Sequence, residues 1–155
     1  MAFKPRRLGH VNLFVRDASR SEAFYADLLG LHTSERRPGV VTFMSADLEQ
    51  SHEIALMQVG PDASDPQSNQ VGLNHVAWSM DNFEDLKELY LRLKQKGVKI
   101  NGIGNHGISL GVYFRDPDGN GNEAYYELPK DQWPEGDQLF AGHFPMSLDD
   151  ERTGT

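Results

Sequence analysis

Two segments of the chain repeat one another at an offset of 65 residues: LGHVNLFVRD, from Leu8 to Asp17, and LNHVAWSMDN, from Leu73 to Asn82. Leu, His and Val recur at matching places. Both segments end in Asp or Asn, residues suited to cap a helix. A helical pattern follows each. SRSEAFYADLLGL sets Phe24 and Leu28 on one face and stops at Gly30; NFEDLKELYLRLKQKGV spaces Leu86, Leu89, Tyr90 and Leu93 at helical intervals and stops at Gly97. Then come shorter β-like runs, Val41-Thr42-Phe43 before HEIALMQV and Val112-Tyr113-Phe114 before EAYYEL. Phe43 to His52 is nine residues, and so is Phe114 to Glu123. Each half therefore reads β-α-β-β-β. A repeated unit of this size buries its apolar face best against its own copy.

The pattern predicts an α+β domain over residues 1–128, built from two tandem βαβββ modules at about 6–60 and 71–128. Gly60 to Gly72, rich in Asp, Ser, Pro and Gln, reads as the connection. Residues 129–155 form an acidic tail with no periodicity, expected to be irregular and docked by Trp133, Phe140 and Phe144.

At 155 residues the chain is long enough for a real core. Its net charge of −8 disfavours nucleic acid and anionic membranes, which both select a basic footprint. The short basic cluster of Lys4, Arg6 and Arg7 reads as a solvated arm. Cysteine is absent, which removes disulfides and thiolate ligands. The start, MAFKPRRLGHVNLF, lacks the apolar core of a secretory signal, and no apolar run approaches a membrane span. The expected location is the cytoplasm.

The repeat brings four positions into correspondence. His10 matches His75, and His52 matches Glu123. Related positions of two similar halves meet near a pseudo-twofold axis, and all four carry side chains able to bind metal. His10, His75 and Glu123 together make the two-histidine, one-carboxylate set that holds Fe(II) and leaves positions open. Taken singly, each histidine reads more readily as an ordinary strand residue, and Glu123 as a surface residue beside a turn. His32, just past the first helix, reads as a complement to the helix C-terminus. His143 lies in the tail, and neither is given a role. Asp116-Pro117-Asp118-Gly119-Asn120 is a turn that joins the strands of Tyr113 and Glu123, with proline and glycine presetting its backbone.

GLNHVAW (Gly72 to Trp78) and GVYFRDPDGNGNEAYY (Gly111 to Tyr126) resemble the vicinal oxygen chelate superfamily, which includes glyoxalase I, fosfomycin-resistance enzymes, bleomycin-binding proteins and type I extradiol dioxygenases. The resemblance runs from Leu8 to about Leu128 and implies that the eight strands form an open, barrel-like sheet around a metal site. His52 in HEIAL, His106 in NHGIS, and Tyr113 ten residues before Glu123 resemble the extradiol, catechol 2,3-dioxygenase branch. It implies metal ligands at His10, His75 and Glu123, and acid/base groups at His52, His106 and Tyr113. It also implies Fe(II), with Mn(II) able to replace it, and a catechol-type aromatic diol and O2 as substrates. The larger relatives carry a further non-catalytic domain, so self-association is expected here.

On this reading His52 stabilises charge developing on oxygen, Tyr113 donates to the substrate oxygen, and His106 closes over the far side of the ring. Trp78, Phe43 and Tyr125 are candidates for the pocket wall. His52 keeps a rival role as a fourth ligand, which would suit a glyoxalase-type isomerase. A fosfomycin thiol transferase would need cations that the strands lack, and a bleomycin-type binding protein would need no ligand set.

Overall fold

A computed structural model of the chain describes residues 3–135, 139–140, 142 and 148–149. It divides into two compact units, 1–66 and 67–155, with the boundary inside the polar connection. Among the described residues no helix is long and apolar enough to cross a membrane.

The first unit runs β1 (Val11–Val15), α1 (Ala18–Leu29), β2 (His32–Arg37), β3 (Val41–Ser45) and β4 (Ile54–Gln58). Its sheet has the order β1-β4-β3-β2, with β1 and β4 parallel and the other pairs antiparallel. Asp17 caps α1 by accepting from the Ser19 and Arg20 amides, and Gly30 ends it at φ 69°. Glycine takes that left-handed conformation without a steric penalty. The face of α1 that is buried carries Ala18, Ser21, Tyr25 and Leu28; Tyr25 is wholly buried, and the expected Phe24 lies half-covered beside it. A stripe at i, i+3, i+7 and i+10 passes through 25 and not 24, which is why the helix turns that way. His32 opens β2 opposite Ser45, and so belongs to the sheet and not to the helix end.

The second unit repeats the order with β5 (Val76–Ser79), α2 (Phe83–Gln95), β6 (Ile100–Asn105), β7 (Ser109–Arg115) and β8 (Gly121–Glu127), in a sheet ordered β5-β8-β7-β6. Asn82 caps α2 through the Asp85 amide, and Leu86, Leu89, Tyr90 and Leu93 are buried as the spacing predicts. With Val112, Phe114 and Ala124 they make the core of this unit. Full burial of each such aliphatic side chain contributes roughly 1.5–3 kcal/mol.

Both βαβββ modules are thus present, but the strands form two four-stranded sheets and not one eight-stranded sheet. The parallel pairing of the first and last strand of each module completes a sheet within that module. Spacing along the chain reveals strands, and it does not reveal where their ladders end.

The β7–β8 turn is held by one carboxylate. Asp116 is buried, and its Oδ1 accepts from the Asp118 and Asn120 amides at 2.9 and 2.8 Å while Oδ2 accepts from Asn120 Nδ2 at 2.9 Å. Gly119 supplies φ 88°. Asp116→Ala is expected to cost about 1.5–3 kcal/mol, the range for hydrogen bonds to a charged group. Urea unfolding followed by circular dichroism checks this; an unchanged midpoint would refute it.

Beyond β8 a short 3-10 turn spans Lys130–Gln132, and Trp133 Nε1 donates to the Leu128 carbonyl at 2.8 Å. Phe140 is exposed, contrary to the expected docking, whereas Leu148 is fully buried and Asp149 pairs with Lys94 at 2.7 Å. Phe144 and His143 lie outside the described residues.

Candidate metal centre and active site

In the second unit four of the candidate residues meet. His75 stands immediately before β5, and Glu123 lies on the neighbouring β8. Their side chains approach to 3.0 Å, His75 Nε2 to Glu123 Oε2. Glu123 pairs directly across from Tyr113 on β7, so both project from one face. His106 occupies the β6–β7 turn, where its amide donates to the Ser109 carbonyl at 2.8 Å. Gly107 takes φ 87° and donates to Asn105 Oδ1 at 2.8 Å. The turn delivers His106 Nε2 to the Tyr113 hydroxyl at 2.7 Å and to within 4.0 Å of Glu123 Oε1.

The donor set has a definite polarity. Asn74 Oδ1 lies 2.7 Å from His75 Nδ1 and can only accept, so Nδ1 carries a proton. In the neutral ring Nε2 then directs its lone pair at the Glu123 carboxylate. Two such lone pairs at 3.0 Å need positive charge between them, either a proton or a metal ion. Cis donors each about 2.1 Å from an octahedral divalent ion stand roughly 3.0 Å apart. The pair therefore fits a metal as well as it fits an ion pair.

Burial, reinforced by the Glu123 carboxylate, pushes the Tyr113 hydroxyl well above the ordinary phenol range. It is a proton donor throughout the neutral range. Two glycines shape the same face. A Cβ on Gly111 would lie 2.3 Å from Glu123 Oε1, so the carboxylate rests over a strand position that must lack a side chain. A Cβ on Gly121 would lie 2.2 Å from the Asn74 carbonyl, which lets the backbone before His75 close on β8. Gly111→Ala should leave the fold intact, because the obstructed atom is the end of a flexible side chain, but it should displace the carboxylate. A loss of about 10–100-fold in metal affinity is expected, as for other lesions that misplace a ligand. Titration with Mn(II) followed by its paramagnetic signal measures it; unchanged affinity would defeat the inference.

In the first unit His10 immediately precedes β1, and His52 lies two residues before β4. Their rings stack at 4.4 Å between centroids, and Phe43 meets His52 edge-on at 5.0 Å. Ser51 Oγ lies 3.0 Å from His52 Nδ1. Burial, helped by the neighbouring His10, lowers the His52 pKa from its ordinary value and keeps the ring neutral, as a base requires.

His10 thus meets His52 in the first unit and His75 meets Glu123 in the second, but the expected match of His52 with Glu123 fails: Ala55, opposite Asn12 and Phe43, takes the place that Glu123 takes opposite Ala77 and Tyr113, and His52 lies ahead of β4. Among the described residues no group of three or more His, Asp and Glu side chains is assembled to hold one metal ion. Of the proposed wall residues, Phe43 touches His52 and Tyr125 shares the face of Glu123. Trp78 does not: it pairs with Ala124 on the opposite face, and its indole donates to the buried Asn122 at 3.0 Å. Sequence reasoning missed Asn74 and Gly111. A glycine interrupting the apolar β7 run was the available signal for the latter.

The chain is similar to known proteins in sequence and fold. A family model described as the glyoxalase/bleomycin resistance protein/dioxygenase superfamily matches residues 7–124. The chain belongs to that superfamily. Biphenyl-2,3-diol 1,2-dioxygenase 3 of Rhodococcus globerulus is 33% identical over 115 residues, 74% of this chain and 60% of the relative. The manganese-dependent 2,3-dihydroxybiphenyl 1,2-dioxygenase of Geobacillus genomosp. 3 is 28% identical over 133 residues, 84% of this chain and 39% of the relative. The chain therefore spans about 60% of the length of the first of these dioxygenases and 39% of the second. Among solved structures, a glyoxylase/bleomycin resistance protein/dioxygenase domain from Frankia sp. EAN1pec superposes with a TM-score of 0.67 at 25% identity, covering 82% of this chain and 96% of that one.

Proposed function

We propose that the protein is a metal-dependent extradiol dioxygenase that opens the ring of a catechol-type diol with O2. The observation that carries this reading is the His75–Glu123 pair at 3.0 Å, with the Tyr113 hydroxyl and His106 imidazole beside it. Dioxygenase relatives of aromatic diols supply the reaction class. His10, His75 and Glu123 would hold the ion, Fe(II) by preference and Mn(II) as the alternative. The metal, when bound, would acidify the diol and bring it together with O2.

The chain's own residues do the rest. Tyr113, held protonated, donates a hydrogen bond to a substrate oxygen. His106 holds the Tyr113 hydroxyl at 2.7 Å and sets its direction. His52, neutral and packed between His10 and Phe43, accepts and returns a proton on the oxygen side. Self-association and a cytoplasmic location belong to the same proposal.

Protein reconstituted anaerobically with Fe(II) and then given catechol and O2 should consume oxygen and form a yellow ring-opened product. No uptake across a broad panel of catechols would overturn the reading. The stacking of His52 on His10 favours one rival, in which His52 is a fourth ligand of a glyoxalase-type isomerase. That enzyme would work with Zn(II) or Ni(II) and give Fe(II) no advantage.

A further inference from the structure

Beside His75 and Tyr113 the second unit holds a pocket of about 340 Å³ lined by residues of β6, β7 and β8. Its volume lies within the usual range of ligand sites and exceeds what a single unsubstituted ring requires. The space exists because the sheet is bare there. Gly102 lies directly across from Tyr113, its φ is not positive, and a Cβ on it would meet nothing within 4 Å. No backbone or packing constraint therefore demands glycine at this position, and a side chain there would simply occupy the pocket.

The polar groups around this space have one electrostatic character. The β6–β7 register skips Asn101, a β-bulge of the kind that re-aims a side chain next to a site, and Asn101 lines the pocket. Among the described residues its amide makes no hydrogen bond. Arg115 lines it as well. One guanidinium N–H of Arg115 donates to the Gly119 carbonyl at 2.6 Å, and a guanidinium carries five such donors. No acidic residue lines the pocket. The nearest carboxylate is Glu123, which faces His75 at 3.0 Å, and Arg115 is the cation of the lining.

We propose that this pocket receives a ring substituent ending in a carboxylate, paired with Arg115 and hydrogen-bonded by Asn101, so that the preferred substrates are diols with an anionic side chain. The inference rests on the diol-cleaving reading for the rest of the substrate.

The test compares 3-(3,4-dihydroxyphenyl)propionate with its methyl ester, which is nearly the same size without the charge. The wild-type protein should prefer the acid by about tenfold or more in kcat/KM, the worth of one charge-assisted hydrogen bond. Arg115→Met should erase that ratio, and Arg115→Lys should retain part of it. Gly102→Val should lower the ratio of either substituted diol to plain catechol. Binding of acid and ester by calorimetry, without O2, provides a readout independent of turnover. Tighter binding of the acid that vanishes in Arg115→Met supports the pocket even if no oxygen is consumed, a result that would sink only the dioxygenase reading. Turnover of catechol with equal handling of acid and ester would overturn the pocket and leave that reading standing.

Discussion

Substituting His75 with alanine is expected, on the proposed dioxygenase reading, to abolish binding of a divalent ion and all diol-dependent oxygen uptake. Loss of a partner that merely supports a ligand costs about 10–100-fold in affinity or activity. Removing the ligand itself should exceed that range. The remaining Glu123 carboxylate would keep its place against Gly111 but lose the imidazole 3.0 Å away. Glu123→Gln should act alike, since it preserves shape and removes the charge that a cation needs. Metal content by elemental analysis, alongside oxygen-electrode rates, gives the answer. Full occupancy in both variants would remove these residues from the ligand set. Asn74→Ala supplies a graded control, because it frees His75 Nδ1 without touching Nε2; a loss within the 10–100-fold range should follow.

Tyr113→Phe should lower kcat by about 10²–10⁴-fold, the span of a well-placed proton donor, while metal content stays close to that of the parent. The hydroxyl sits 2.7 Å from His106 and across the strand pair from Glu123, so its removal takes away the group best placed to donate. The ring itself, edge-on to His75 at 5.5 Å between centroids, would remain and keep the wall intact. A variant that binds metal normally and turns over diol at the parental rate would show that Tyr113 is only part of the packing. His106→Ala should fall in the same direction by a smaller factor, since His106 orients the hydroxyl.

Much of this molecule was legible before any coordinates. The offset of 65 between His10 and His75 marked two modules, and each unit does run β-α-β-β-β. Asp17, Asn82 and Gly30 announced helix boundaries because capping and left-handed backbone are local chemistry. The equal nine-residue spacings misled: register makes Ala55, not His52, the counterpart of Glu123, because the connection before β4 is longer than the one before β8. Other features were hidden. Trp78 looked like a pocket wall, yet strand pairing turned it to the helix side, where Asn122 receives its indole N–H. Phe24 gave way to Tyr25 as the buried aromatic of α1 because the direction of a helix face is set by what it packs on.

The order of elements, their caps and the correspondence of His10 with His75 are written in the sequence, because each depends on residue type and separation along one chain. The contact of His75 with Glu123, the cover that Gly111 allows the carboxylate, the support from Asn74 and the side of the sheet on which Tyr113 emerges belong to the tertiary structure. They depend on strand register, and a shift of one residue in register sends every side chain to the other face.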